Sequence, residues 1–161
     1  MSPNFRRKRN RLPAQIYKQR AAYSITTTVE GRRPLFHNPQ TVELCLEKLR
    51  EASQKRHFQV VAYCFMPDHL HLLLVAASGT DLVAFMRFFK QQSGYKYRQF
   101  SGDLIPLWQK SYYDHVLRKE EDLLTVARYI WGNPLRAGIV SDIQEYPFSG
   151  SFLIDDWKSA V

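Results

Sequence analysis

Apolar and polar residues recur along the chain with two different periods, and these periods predict its elements. Tyr23–Val29 is rich in β-branched and aromatic residues, which is typical of a strand. The runs His57–Phe65 and His69–Val75 predict two more strands that form a hairpin turning at Pro67-Asp68. A fourth strand is predicted over Tyr112–Leu117.

Apolar residues at helical spacing predict three helices between these strands. The first runs roughly over 39–54, with Asn38 as N-cap and a proline at the first helical position. The second follows Asp81 and continues to about Arg98. The third covers roughly 120–132 and is expected to end near Asn133, because the residue before a proline is biased away from helical angles.

The order βαββαβ with one extra helix predicts an α+β fold, a ferredoxin-like antiparallel sheet with two helices on one face. Leu70, Leu72 and Leu74 are expected to face those helices. His69 and His71 would then point to the opposite, open face. We expect one domain over 21–152, between a basic arm at 1–20 and a tail at 153–161, and we expect the chain from Ala137 to Val161 to be irregular.

Composition narrows the class of protein. The chain has 161 residues and is 45% apolar, which is typical of one folded domain. No apolar run approaches the ~20 residues of a membrane span, and the basic amino terminus lacks the apolar core of a signal peptide. Two cysteines, Cys45 and Cys64, are too few for a disulfide framework. These features predict a protein of the cytoplasm.

The net charge of +8 is concentrated in the arm. Residues 1–20 hold seven of the 23 basic residues and none of the 15 acidic ones, which leaves 16 basic and 15 acidic residues elsewhere. Such an arm favours contact with phosphates, although a solvated tail without a partner is the alternative. The arm residues assigned to nucleic acid are Arg6, Arg7, Lys8, Arg9 and Arg11.

A second basic region lies in the predicted second helix. No acidic residue occurs between Asp81 and Asp103, and basic residues are interleaved there with aromatic ones. Cations for phosphates beside rings for bases favour a site for single-stranded nucleic acid, and a plain solvated helix is the alternative. The basic residues assigned to this site are Arg87, Lys90, Lys96 and Arg98.

His69 and His71 are the candidate metal ligands. Side chains two apart on a strand share a face, with their Cα atoms about 6.8 Å apart. Two imidazoles at that spacing can close on one divalent ion. The alternative is a pair of structural histidines held by hydrogen bonds.

Tyr129 and Asn133 are four residues apart near the end of the third helix and so share one surface strip. A tyrosine there is commonly a packing residue. Beside a metal, however, a phenolate can attack a phosphorus atom, and a carboxamide oxygen can serve as a third ligand.

Several blocks, in order, resemble the REP-associated tyrosine transposases, which belong to the single-tyrosine HUH transposases of bacterial insertion sequences. The resemblance spans about residues 20–152. Its blocks are Met66-Pro67-Asp68-His69-Leu70-His71, Trp108 through Tyr113-Asp114-His115-Val116-Leu117-Arg118, Glu120-Glu121-Asp122-Leu123, Arg128-Tyr129-Ile130 with Asn133-Pro134-Leu135-Arg136-Ala137-Gly138, and Tyr146-Pro147-Phe148-Ser149.

The resemblance implies a nuclease dependent on Mg²⁺ or Mn²⁺ that cuts single-stranded, hairpin-forming DNA and keeps the 5′ phosphate on a tyrosine. It implies that His69, His71 and Asn133 bind the metal and that Tyr129 is the nucleophile. Trp131-Gly132 departs from the family pattern, and Gly132 is expected to loosen the helix end. Whether the last helix completes its own site or that of a second copy in a homodimer is left open.

Two other functions fit parts of the sequence. A ferredoxin-like sheet with basic and aromatic residues is also the plan of many RNA-binding modules, which carry rings on their two central strands. A domesticated transposase that binds hairpin DNA without cutting it is the other alternative. The joint presence of His69, His71, Tyr129 and Asn133 favours the nuclease.

Overall fold

A five-stranded antiparallel sheet forms the centre of the protein. The computed structural model describes residues 20–118 and 121–161, so the predicted arm lies outside the described residues except for Arg20. The strands are adjacent in the order β4-β1-β3-β2-β5. Their bounds are β1 Arg20–Thr28, β2 Phe58–Met66, β3 His69–Ala77, β4 Tyr113–Val116 and β5 Ser149–Gly150.

In the part of the chain that the structure describes, four α-helices accompany the sheet, and a side-chain cap begins each of the three longer ones. Their bounds are α1 Pro39–Arg56, α2 Leu82–Ser101, α3 Leu123–Trp131 and α4 Asn133–Arg136. Asn38 caps α1, Asp81 caps α2 and Asp122 caps α3, each accepting a bond from a first-turn amide. The third helix therefore begins later than predicted, because Asp122 and not an earlier residue is its cap.

A hydrophobic core, here called the first core, lies between the sheet and helices α1 and α2. This arrangement confirms the predicted antiparallel α+β fold. Helices α1 and α2 pack on one face of the sheet, where Leu70, Leu72 and Leu74 are fully buried. Aromatic side chains such as Phe85 and Phe89 of α2 fill the space between sheet and helices. Burial of this apolar surface is the main stabilising contribution to the fold.

The opposite face of the sheet is not open along its length, which corrects the prediction. Leu73 and Val75, on the same face of β3 as His69 and His71, are buried in a second core. Helix α3 covers them through residues such as Trp131, which is fully buried. The physical reason is visible in the uninterrupted apolar run of β3, since a strand buried on both faces shows no alternation.

The segment after α4, predicted to be irregular, completes this second core. Ile143, Tyr146, Ile154, Trp157 and Ala160 pack there against the sheet. The Tyr146 hydroxyl donates to the backbone carbonyl of Phe65. Among the described residues, no helix has the length and apolar content needed to cross a membrane.

Candidate active site

His69 and His71 lie at the start of β3 with their rings in contact. Strand alternation directs both side chains to the face that α3 covers further along. Their Nε2 atoms are 3.0 Å apart, and the two rings are nearly perpendicular, with centroids 4.7 Å apart. Both Nε2 atoms thus point to one common region.

The other ring nitrogen of each histidine has its own partner. His69 Nδ1 is 2.6 Å from Asp68 Oδ1, and His71 Nδ1 is 3.0 Å from the Thr26 hydroxyl. Thr26 reaches His71 because the two residues are directly paired between β1 and β3. The Asp68 carboxylate can only accept, so it holds the proton on His69 Nδ1 and leaves His69 Nε2 with its lone pair, whereas the Thr26 hydroxyl can donate to or accept from His71 Nδ1.

Electrostatics favour neutral imidazole at His71 and an ionised carboxylate beside His69. Burial, with added repulsion from His69 and Arg136, lowers the pKa of His71 to about 4. Partial burial opposes ionisation of Asp68, but the hydrogen bond and charge of His69 leave the pKa of Asp68 below its usual value. A neutral imidazole has the lone pair that a metal ion requires.

The pair fits a divalent ion in its dimensions. Nitrogen atoms bound to one ion at about 2.1 Å and at right angles lie about 3.0 Å apart, close to the separation in this site. Within residues 20–118 and 121–161, no group of three or more His, Cys, Asp or Glu side chains could hold a metal ion. The predicted third ligand, Asn133, is of another residue type and stays a prediction.

Tyr129 and Asn133 lie at the end of α3 and the start of α4, and Arg136 joins them. The Tyr129 side chain is 64% exposed, and the Arg136 guanidinium lies over its ring at 3.8 Å from the centroid. Arg136 also donates to Asn133 Oδ1 at 2.8 Å and to the backbone carbonyl of Tyr129. Asn133 Nδ2 donates to the carbonyl of Ile130 at 3.1 Å.

The predicted site residues thus form two groups. His69 contacts His71, whereas Tyr129 and Asn133 are joined through Arg136. Arg136 links the groups electrostatically, because its charge contributes to the lowered pKa of His71.

Sequence reasoning missed the supporting roles of Thr26, Asp68 and Arg136. Helical spacing of three and seven residues from Asn133 and Tyr129 could have indicated Arg136. Thr26 could be found only from the strand register.

A family model described as transposase, IS200-like, matches residues 17–133, most of the chain. The chain belongs to the IS200-like transposase family. Over 102 residues, the chain is 30% identical to a Haemophilus influenzae protein described provisionally as a REP-associated tyrosine transposase. That match covers 57% of the chain and 58% of the relative, so the chain spans little more than half of that relative's length.

Two further comparisons confirm the resemblance predicted from sequence. The Escherichia coli K12 REP-associated tyrosine transposase is 23% identical over 136 residues, covering 84% of this chain and 79% of that protein. The solved structure of a REP-associated tyrosine transposase bound to a REP hairpin matches with a TM-score of 0.68 at 22% identity. It covers 80% of this chain and 75% of that one, and at this identity it shows a shared fold.

A groove beside α2 is a second candidate surface in this IS200-like transposase. Its cavity volume is about 580 Å³, and it runs between α2 and the segment 104–112. Arg87 and Arg98 line it, and the exposed side chains of Tyr95 and Leu104 add apolar surface. Lys110 contributes another cation, and none of the lining residues is acidic.

The other two basic residues of α2 assigned to nucleic acid are Lys90, which also lines the groove, and Lys96, which does not. The Lys90 ammonium donates to the carbonyls of Gln109, Lys110 and Ser111 at 2.6, 2.9 and 3.3 Å. These contacts engage its N–H donors within the protein, and the phosphate contact of Lys90 stays a prediction. Lys96 lies toward α1, where the hydrogen bond from Lys48 lowers the pKa of Glu51 and the charge of Lys96 adds to that effect.

Proposed function

We propose that this IS200-like transposase is a metal-dependent endonuclease and strand transferase that acts on single-stranded, hairpin-forming DNA through a 5′-phosphotyrosine intermediate. The observation that carries the proposal is the geometry of the His69–His71 pair. Two Nε2 atoms 3.0 Å apart, each with its Nδ1 held by a partner, form the donor set of a divalent ion. Family membership supports the DNA chemistry.

His69, His71 and Asn133 would hold Mg²⁺ or Mn²⁺ in this proposal. A bound ion supplies Lewis-acid polarisation of a phosphate oxygen. Asp68 holds His69 in the tautomer with a free Nε2 lone pair, and Thr26 bonds Nδ1 of His71. Arg136 keeps the Asn133 oxygen on the side of the Tyr129 ring.

Tyr129 is the proposed nucleophile. Its hydroxyl gives up a proton to solvent, and the phenolic oxygen attacks the phosphorus of the scissile phosphodiester. The new bond joins phosphorus to the tyrosine oxygen, while the bond from phosphorus to the 3′ oxygen breaks. The departing oxygen takes up a proton and becomes a free 3′ hydroxyl. The exposure of Tyr129 leaves its ring accessible to a DNA strand.

The proposed DNA surface combines the α2 groove with the basic arm. Cations without acidic neighbours favour an anionic chain, and exposed rings and aliphatic groups favour unpaired bases. Within α2 we assign Arg87 and Arg98 to this surface. The arm residues Arg6, Arg7, Lys8, Arg9 and Arg11 lie outside the described residues and keep their proposed phosphate contacts. The hairpin partner is supported by the relative that was solved with a REP hairpin.

The test is a denaturing gel of the full chain with 5′- and 3′-labelled hairpin DNA in the presence of Mg²⁺ or Mn²⁺. We expect a covalent protein–DNA band that carries the 5′ phosphate, together with a free 3′-hydroxyl product. Chelation of the metal should remove both. Cleavage without any adduct would assign the attack to water and contradict the proposal.

An RNA-binding module is less well supported. The central strands β1 and β3 carry one aromatic residue between them, Tyr23. That ring packs toward the first core beside Phe58, with centroids 6.3 Å apart. The stacking platform that such a module uses is therefore not formed by these two strands.

A further inference from the structure

We infer that Arg136 is a positioning residue that fixes Tyr129 and Asn133 relative to each other, and that Gly132 is required because its missing side chain gives Arg136 room to do so. This inference rests on the proposed roles of Tyr129 as nucleophile and Asn133 as metal ligand. It assigns functions to two residues that lie outside the predicted site.

One guanidinium makes all the connecting contacts. It stacks on the Tyr129 ring at 3.8 Å and donates to the Tyr129 carbonyl and to Asn133 Oδ1. A planar fork with several fixed N–H donors can do this, whereas a lysine offers one compact charge. Because Arg136 is exposed, these contacts are not explained by core packing.

The Asn133 carboxamide is held at both ends. Its nitrogen donates to the Ile130 carbonyl, and its oxygen accepts from Arg136. An amide oxygen has two lone pairs, so one stays free for a metal ion while the other binds Arg136. Without Arg136 the amide could turn its nitrogen toward the ion, and an NH₂ group cannot act as a ligand.

Space beside the Arg136 guanidinium, and not backbone conformation, favours glycine at position 132. Its φ of −78° and ψ of −5° are open to any residue. A Cβ there would lie 2.7 Å from the terminal nitrogen Nη1 of Arg136 and 3.2 Å from the carbonyl oxygen of Arg128. Any side chain would thus displace the guanidinium.

This arrangement also changes the interpretation of Gly132, which was expected to loosen the helix end. The Gly132 amide bonds the Arg128 carbonyl at 2.9 Å, and the Arg136 amide bonds the Gly132 carbonyl at 3.1 Å. Both backbone groups of Gly132 are thus hydrogen-bonded at the turn between α3 and α4, and the side chain of Arg136 folds back across it.

The test uses Arg136→Ala, Arg136→Lys and Gly132→Ala in the full chain, with two measurements for each. Mn²⁺ affinity is measured without DNA by electron paramagnetic resonance, and the rate of adduct formation is measured at saturating hairpin DNA and Mn²⁺. We expect Arg136→Ala to weaken Mn²⁺ binding about tenfold, as for other partners of metal ligands, and to slow adduct formation. Melting temperature and hairpin affinity should stay near parent values.

The other variants separate positioning from charge. Arg136→Lys retains the positive charge but cannot bridge Tyr129 and Asn133, so it should not restore Mn²⁺ affinity. Gly132→Ala should reproduce the loss with the arginine still present. The double variant should be no worse than Arg136→Ala alone, because both changes remove the same interaction. A loss that adds fully in the double variant would overturn the role of Gly132.

Three results would overturn the inference while the proposed function stands: parent-like Mn²⁺ affinity and rate in Arg136→Ala, tighter Mn²⁺ binding in that variant, or full rescue by lysine. Tighter binding would mean that Arg136 competes with the metal for Asn133. If instead the parent protein binds Mn²⁺ but forms no adduct, the proposed function fails. The expected fall in Mn²⁺ affinity would then still support positioning of Asn133.

Discussion

Each histidine of the candidate site is oriented by a neighbouring side chain, Asp68 for His69 and Thr26 for His71. Asp68 and Thr26 each bond one Nδ1 atom, which leaves the two Nε2 atoms facing each other. In the proposed metal site, Asp68 and Thr26 would orient the two imidazole ligands without touching the ion. Replacement of a histidine should therefore impair metal binding more than replacement of the residue that bonds its Nδ1.

We expect His69→Ala to abolish Mn²⁺ binding and metal-dependent cleavage, because it removes one of two imidazole ligands. Asp68→Asn should weaken Mn²⁺ binding by about 10- to 100-fold without abolishing it. The measurement is Mn²⁺ titration followed by electron paramagnetic resonance, with the melting temperature as a check on folding. Unfolding of His69→Ala would identify the histidine as structural.

Tyr129→Phe should bind hairpin DNA normally and form no covalent adduct, since it loses the attacking oxygen and retains the ring over which Arg136 stacks. Tyr113→Phe is the matched control. Tyr113 is exposed and shares a sheet face with His71 through Thr26, which pairs with both. Adduct formation by the Tyr129→Phe variant on labelled hairpin DNA would contradict the assignment, and loss of adduct in the control would direct it to Tyr113.

At the scale of elements, helix α3 is held over the sheet by a specific polar bond as well as by apolar packing. The indole nitrogen of Trp131 donates to the Gly150 carbonyl of β5 at 2.9 Å, and Trp131 is fully buried. Trp131 also packs on Trp157, with ring centroids 5.2 Å apart. The position of Tyr129 at the end of α3 therefore depends on β5 and the carboxyl-terminal segment.

Trp131→Phe should lower the free energy of unfolding by about 1–3 kcal/mol, because it leaves the buried Gly150 carbonyl without its donor. For a chain of this length, each kcal/mol corresponds to a fall of roughly 2–4 °C in melting temperature. Chemical denaturation and thermal melting provide the measurement. Tyr113→Phe, at an exposed position, should change neither the free energy of unfolding nor the melting temperature. Parent-like values of both in Trp131→Phe would show that the bond to Gly150 contributes little.

At the scale of the whole molecule, charge is distributed unevenly. The arm carries seven basic residues without an acidic one, and α2 contributes Arg87 and Arg98 to a groove without acidic lining. Lys96 belongs to the same helix but lies near Glu51 on the α1 side. The fold thus places Arg87 and Arg98 in the groove and Lys96 on the α1 side, although the three residues appear equivalent in the sequence.

Arg87→Ala and Arg98→Ala should each weaken binding of single-stranded DNA and reduce the salt dependence of its affinity. The slope of log affinity against log salt should fall by about 0.7 for each phosphate that the variant no longer binds. Lys96→Ala, on the α1 side, should leave that slope unchanged. Fluorescence anisotropy at several salt concentrations is the measurement, and equal slopes for all three variants and the parent would exclude the groove as a DNA surface.

Much of the fold was predictable because its elements depend on local patterns. The caps at Asn38 and Asp81 and the β-branched and aromatic residues of β1 act over a few residues. Missed features depend on distant packing instead. β5 has two residues, too few to leave a periodic signal, and the apolar residues of the carboxyl-terminal segment acquire a role only once α3 lies on the sheet.

The sequence by itself determined which residues can carry the chemistry: a histidine pair two apart, a tyrosine and an asparagine one helical turn apart, and a localised positive charge. These follow from backbone geometry that is fixed within a few residues. Tertiary structure decided how they are oriented. Thr26 meets His71 across 45 residues only through strand pairing, and Trp131 bonds the Gly150 carbonyl only because α3 packs on the sheet. Contacts of that kind depend on packing of the whole chain, which no local period encodes.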